Sequence, residues 1–185
     1  DGYSIENPLL SDLGFKTGDK VIAINDEPII NDSDIGYNLI KAQTITINRD
    51  GKKQTINLPE DFLGQYSASG VKTNFEYRIP FMVGKVADSS LNKGKGLKQG
   101  DVITSINGKP LKYYDQLKGI VKDLKNTSVT AEILHEDNTK STMELQLDKD
   151  GKFGIRPYNN PKRFEELGYY DIFRKENSFG ESFGA

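Results

Sequence analysis

Apolar and polar residues alternate over several short stretches of this chain, and the stretches come in two sets. Ile45, Ile47, Ile56 and Leu58 alternate along two segments, 44–48 and 54–58, separated by Asp50-Gly51. A period of two puts one set of side chains on the buried face of a sheet, and Asp-Gly suits the positive backbone angles of a two-residue hairpin turn. The spacing therefore predicts a hairpin. A second is predicted from 128–134 and 141–147 around Asp137-Asn138. Ahead of each hairpin lies a helix candidate. In 114–124, Tyr114, Leu117, Ile120, Val121 and Leu124 fall on one face at helical spacing. In 34–41 the stripe is thinner, Ile35, Leu39 and Ile40, with Gly36 inside it. The pattern predicts a mainly β chain of the α+β class with short helices.

The two sets belong to an internal repeat. Gly14-Phe15-Lys16-Thr17-Gly18-Asp19-Lys20-Val21-Ile22-Ala23-Ile24-Asn25-Asp26-Glu27-Pro28-Ile29 returns as Gly96-Leu97-Lys98-Gln99-Gly100-Asp101-Val102-Ile103-Thr104-Ser105-Ile106-Asn107-Gly108-Lys109-Pro110-Leu111, at a constant offset of 82 residues. Gly18 and Gly100 are expected to take backbone angles that a Cβ resists. Asp19 and Asp101 are expected to accept hydrogen bonds from nearby amides and fix the turn, as structural rather than catalytic carboxylates. Segments 21–24 and 102–106 read as buried strands, and Asn25-Asp26 and Asn107-Gly108 as the tight turns after them. The repeat implies a first domain at 1–66, whose matching groove strand would be cut short at the N-terminus, a second at 67–158, and a tail at 159–185. A Ser/Gly/polar linker is expected at 60–70, and Asn159-Asn160-Pro161 reads as a breaker closing the second domain.

Composition narrows the chemistry. Nine Tyr and nine Phe supply enough aromatic surface to argue against disorder. The absence of Cys excludes disulfides, thiolate metal sites and Cys nucleophiles. The single histidine, His135, cannot supply a pair of imidazole ligands and reads as a surface residue. No Gly-x-Ser-x-Gly elbow and no phosphate loop occur, and no Ser–His pairing is indicated. No catalytic residue and no metal site are therefore expected within the chain. A formal net charge of −2 gives no pull toward nucleic acid. The charge is uneven, with 6 basic against 11 acidic side chains over 1–66 and 15 against 11 over 67–158. That asymmetry reads either as ordinary surface variation or, more sharply, as a second domain biased toward acidic peptides or lipid headgroups. No apolar run reaches the roughly 18–20 residues of a membrane span. With Asp1 first and no leader sequence, the chain is expected to be a soluble segment excised from a longer protein.

The string Gly96 to Leu111 resembles the core signature of bacterial PDZ domains. Pro80-Phe81-Met82-Val83-Gly84-Lys85-Val86 resembles the strand bordering their peptide groove. Ala87-Asp88-Ser89-Ser90 resembles the Ser-Pro-Ala connection found there, without the Pro and with Leu91 where Ala is usual. Two such units in series, Arg78-Ile79-Pro80-Phe81 leading the second, Phe153-Gly154-Ile155, and the Ser-Phe-Gly-Glu-Ser-Phe-Gly-Ala string at 178–185 together resemble the tandem PDZ segment of RseP-type site-2 zinc metalloproteases, in the form found in Bacteroidetes-like bacteria.

The resemblance implies two PDZ-like domains, each a small partly open β-barrel or sandwich with short helices. It places them on the periplasmic side of a bacterial inner membrane, within a multi-pass protease of regulated intramembrane proteolysis. The zinc motif of that family, His-Glu-x-x-His, is absent here, so zinc and catalysis would belong to the parent enzyme outside this chain. The tail, with Phe164, Leu167, Tyr169, Tyr170, Ile172, Phe173, Phe179 and Phe183, would lie at the bilayer surface, where aromatic rings are at home. The PDZ units would bind, or sterically filter, a peptide or C-terminal segment of a membrane-protein substrate. In the second unit the groove strand is expected at Phe81–Val86, with Ile79, Phe81, Met82 and Val83 on the strand side and Leu117, Ile120 and Val121 on the helix. An amide turn is expected around Ile79-Pro80-Phe81, one donor short because Pro80 has no N–H. In the first unit the matching strand falls close to Asp1. The alternatives are a peptide-binding PDZ scaffold unconnected to proteolysis and the PDZ pair of an HtrA-type serine protease.

Overall fold

The two copies of the repeat fold into matching runs of strands around one shared helix position, with further helices that differ between them. In the computed structural model, which describes residues 2–70 and 75–169, the first copy has β1 (Tyr3–Ser4), α1 (Pro8–Asp12), β2 (Lys20–Ile24), β3 (Glu27–Pro28), α2 (Asp34–Leu39), β4 (Thr44–Arg49), β5 (Lys52–Asn57), α3 (Phe62–Ala68) and β6 (Glu76–Tyr77). The second has β7 (Phe81–Val86), β8 (Val102–Ile106), β9 (Lys109–Pro110), a 3₁₀ turn (Tyr114–Gln116) leading into α4 (Leu117–Val121), β10 (Ser128–Leu134), β11 (Lys140–Gln146), β12 (Ile155–Pro157) and α5 (Pro161–Glu166). The chain is mainly β, with antiparallel sheets and short helices. It separates into two compact units, one running through Arg78 and the other covering Ile79–Tyr169.

The sheets repeat as the sequence does. The first unit holds the order β3-β2-β4-β5 and a separate β1-β6 pair; the second holds β11-β10-β8-β7-β12, with β9 beside β8. Tyr3 exchanges backbone bonds with Asp19 and Gly18 at 2.9 and 2.8 Å, and Val83 does the same with Asp101 and Gly100 at 2.7 and 2.9 Å. Asn25 and Asp26 have φ of 51° and 64°, and Asn107 and Gly108 have 51° and 77°. Two successive positive values make the turn whose twist matches a hairpin, which is why Asn, Asp and Gly stand there. Each unit buries its own core. Phe15, Val21, Ile24, Ile45, Ile47 and Phe62 form the first, and Phe81, Val83, Ile103, Ile106, Ile133 and Leu145 the second.

Three sequence expectations shift. The supposed linker at 60–70 contains α3, whose Phe62 is buried in the first core and stacks on Tyr66 at 5.9 Å. With β6 paired to β1, the first unit extends to Arg78 rather than residue 66. Asn159-Asn160-Pro161 starts a helix instead of ending a domain. The Asn160 side chain accepts from Arg163 N–H at 3.2 Å and Pro161 occupies the first helical position, where its missing N–H costs nothing. That helix buries Phe164 completely, and Tyr169 meets Phe164 and Tyr113 edge-on at 6.5 and 5.8 Å. Burial pushes the Tyr169 hydroxyl pKa up. Phe164 therefore packs within the second unit rather than facing a bilayer. Tyr170, Ile172, Phe173, Phe179 and Phe183 lie outside the described residues.

Candidate functional site

A strand can accept a guest only along an unpaired edge, so pairing decides where a peptide could add. Over 81–83, the residues expected to border the groove, β7 has no such edge. Phe81 and Met82 pair with Ile103 and Val102 of β8 on one side, while Val83, Lys85 and Val86 pair with Pro157, Arg156 and Ile155 of β12 on the other. Phe81 and Val83 are buried in the core, and Met82 is buried on the opposite face. These three proposed groove residues are thus interior. Ile79 is also committed, since its C=O accepts from Tyr114 N–H at 2.7 Å. The position expected to border a groove is taken by β12, one strand further out.

β12 ends the sheet. Gly154 C=O accepts from Ala87 N–H at 2.8 Å and Tyr158 N–H donates to Met82 C=O at 2.9 Å, so both turn inward. Arg156 stands opposite Lys85. The alternation of an antiparallel ladder then points the N–H and C=O of Ile155 and the C=O of Pro157 away from β7. Gly84 permits this fit, because a Cβ there would sit 2.8 Å from Arg156 O. Just before the strand, no acceptor is found among the described residues for the N–H of Phe153 or Gly154. Gly154 itself has φ of 67° and would bring a Cβ to 2.7 Å from Ser90, so only glycine suits it.

The loop after β7 holds this corner in place and closes the opposite edge of the sheet. Phe153 C=O accepts from Ser90 Oγ at 2.6 Å and from Asn92 Nδ2 at 2.9 Å. The buried Asn92 also bonds both backbone groups of Gln146 on β11, at 2.7 and 2.9 Å, and Lys95 Nζ reaches Glu144 C=O at 3.2 Å. Side chains therefore occupy the outer rim of β11 at Glu144 and Gln146, while among the described residues the outer rim of β12 has no partner. Asp148 fixes the turn leading in, its Oδ1 accepting from the N–H of Lys152 at 2.9 Å and of Asp150 at 2.8 Å. Those donors, Lys152 first, hold the Asp148 carboxyl below the usual aspartate range. On the helix side, Val121 is buried, while Leu117 and Ile120 are half-buried and pack on the same core as Ile155. A Cβ at Gly151 would lie 3.8 Å from Val121 O, which brings the start of the β12 corner to the end of α4. Of the seven residues expected from sequence, Leu117, Ile120 and Val121 share the core on which Ile155 packs; Phe153, Gly154 and Ile155, at the start of β12, were not among them. The Phe-Gly-Ile string was the available signal.

The first unit is arranged alike, with β6 beside β1 in the place of β12 beside β7. Its outer strand therefore lies at Glu76–Tyr77 rather than near Asp1.

His135 is not a free surface residue. Its Nδ1 lies 2.8 Å from Asp101 Oδ1 and its Nε2 lies 2.7 Å from Ser141 Oγ. This Ser–His–Asp file, which composition alone did not indicate, has the spacing of an acyl-transfer triad. The other copy explains it differently. Register aligns His135 with Arg49 and Ser141 with Gln54. Arg49 Nε and Nη2 clasp Asp19 at 2.7 and 2.8 Å, and Nη1 reaches Gln54 Oε1 at 3.3 Å. Hydrogen bonding to Asp19 pushes the Arg49 pKa up. Both files partner a buried Asp that fixes the repeated turn through Lys16 N–H at 2.8 Å or Lys98 N–H at 2.9 Å. A position filled by Gln in one copy and Ser in the other serves the buried carboxylate, not a nucleophile.

Among the described residues no group of three His, Asp or Glu could hold a metal ion, and no helix is long and apolar enough to cross a membrane. No protein-family model matches the chain, and no curated protein matches it.

Proposed function

We propose that the chain is a tandem of PDZ-like peptide-binding domains, from the extracytoplasmic part of an RseP-type site-2 intramembrane zinc metalloprotease. In the second unit an extended substrate segment adds to β12. Ile155 N–H and C=O and Pro157 C=O supply sequence-independent bonds, and Leu117, Ile120 and Ile155 wall the apolar side. The unbonded N–H groups of Phe153 and Gly154 are placed to receive a terminal carboxylate. The single observation that carries this reading is the edge of β12, unpaired among the described residues and preceded by those two amides, in a sheet whose other rim is capped at Glu144 and Gln146. The zinc and the catalytic residues lie in the parent enzyme, and the present units bind or screen substrate before it reaches them.

Peptide titration of the full chain tests the binding half. A peptide with a free apolar C-terminus should bind, its C-terminal amide should bind more weakly, and Gly154→Val should abolish binding by displacing the corner from Ser90. Binding unchanged by Gly154→Val and by Ile120→Asp would refute the site. The protease half is tested on the parent gene, which should encode His-Glu-x-x-His before this segment and an apolar span after it.

A further inference from the structure

We propose that the second unit selects guest strands carrying an acidic side chain at the position facing Arg156, the penultimate residue of a C-terminal ligand. This rests on the reading that guests add to β12. Arg156 and Lys85 are exposed and stand directly opposite each other in the β12–β7 ladder. Ile155 packs on the core, so Arg156 lies on the outer face, together with Lys85. Among the described residues neither cation has a carboxylate within ion-pair distance. Like charges directly opposite across a ladder are unfavourable, and this pair is left uncompensated.

A third strand beside β12 extends the row. The backbone groups of Arg156 face β7, so the guest residue opposite it forms a non-hydrogen-bonded pair, the kind that brings side chains closest. Opposite residues share a face, so that guest side chain completes a line from Lys85 through Arg156. A carboxylate there neutralises the line, and a lysine makes it three cations. With the guest carboxylate at Phe153 and Gly154 N–H, the terminal residue falls opposite Ile155 on the apolar side, and the penultimate residue falls opposite Arg156. The first unit carries the reverse sign at the equivalent place. Glu76 holds the position of Arg156, opposite Ser4. The same guest is therefore disfavoured there.

The test is a titration of the full chain with two otherwise identical decapeptides, ending Glu-Val and Lys-Val, against wild type, Arg156→Glu and Lys85→Glu. Both variants change exposed residues. The Glu-Val peptide should bind wild type roughly fivefold or more tightly than Lys-Val, from one attraction gained and one repulsion avoided. Arg156→Glu should invert the order, Lys85→Glu should shrink the gap, and 0.5 M salt should compress it. Equal binding of the two peptides, or a preference indifferent to Arg156→Glu, overturns the charge selection while leaving strand addition standing. Failure of both peptides to bind overturns strand addition itself, and the selection with it.

Discussion

Replacing Arg49 by Met keeps the apolar stem of the side chain and removes its charge. Asp19 is completely buried in the first unit. It accepts from Arg49 Nε at 2.7 Å and Nη2 at 2.8 Å, and otherwise from Lys16 N–H at 2.8 Å. The substitution leaves a buried carboxylate with one hydrogen bond in place of three, and it also strips Gly14 C=O of its 2.8 Å bond from Nη2. Breaking one side of a buried pair costs about 3–5 kcal/mol, because the surviving charge stays desolvated. A domain of this size is stable by only about 4–12 kcal/mol. The first unit should therefore approach its unfolding threshold while the second stands. Amide hydrogen exchange reads both at once, with the β4 amides of Ile45 and Ile47 losing protection and the β10 amides of Ala131 and Ile133 serving as internal reference. Pairing the change with Asp19→Asn removes the stranded charge and should recover about 1–2 kcal/mol. A single-variant loss below about 1 kcal/mol, or a double variant no more stable than the single, would refute the assignment of Asp19 and Arg49 as a coupled buried pair.

Four further outcomes follow from the second unit. His135→Arg, which installs the partner used in the first unit, should change stability by less than about 1 kcal/mol in urea titration, whereas His135→Ala should cost about 1–3 kcal/mol by leaving Asp101 underbonded. Ser141→Ala should stay within about 0.5 kcal/mol, and ester turnover by the chain that disappears with this variant would contradict the structural role of the file. Asn92→Ala should cost about 1–3 kcal/mol, and by uncapping β11 at Gln146 it should raise concentration-dependent association in sedimentation above that of wild type. The Asp148 carboxyl titrates lower in the folded chain than in the unfolded one. Its contribution is therefore present above the ordinary aspartate value of about 3.9 and is lost as pH falls through the lower folded value. Exchange at the Lys152 and Asp150 amides should quicken below about pH 4 in wild type, and Asp148→Asn, which does not titrate, should flatten that dependence.

The repeated Gly-Asp turn was legible in sequence because its parts are local. Gly18 and Gly100 need positive φ, Asp19 and Asp101 bond an amide three residues back, and the hairpin turns require Asn, Asp or Gly. Each requirement is met within a few residues, so the chain writes it down directly. The partner of the buried Asp was hidden by a change of register. The offset between copies grows from 82 at Ile24 and Ile106 to 86 at Ile47 and Ile133. An ungapped comparison therefore never sets Arg49 beside His135, and a cation that matters in both copies looks like an isolated residue in each.

The misplaced groove has a different cause. A three-residue strand such as Ile155–Pro157 carries too little alternation to announce itself, and it pairs with a segment some seventy residues earlier. Yet Phe81-Met82-Val83 held the warning. Three successive apolar residues leave no polar face, which is the mark of a strand covered on both sides. A strand that receives a guest needs the opposite, a backbone rim facing water and at least one polar side. Arg156 satisfies that condition and Met82 does not. The rule that separates edge from interior, read on these two strands alone, moves the candidate edge from β7 to β12, where Arg156 stands opposite Lys85 on the outer face.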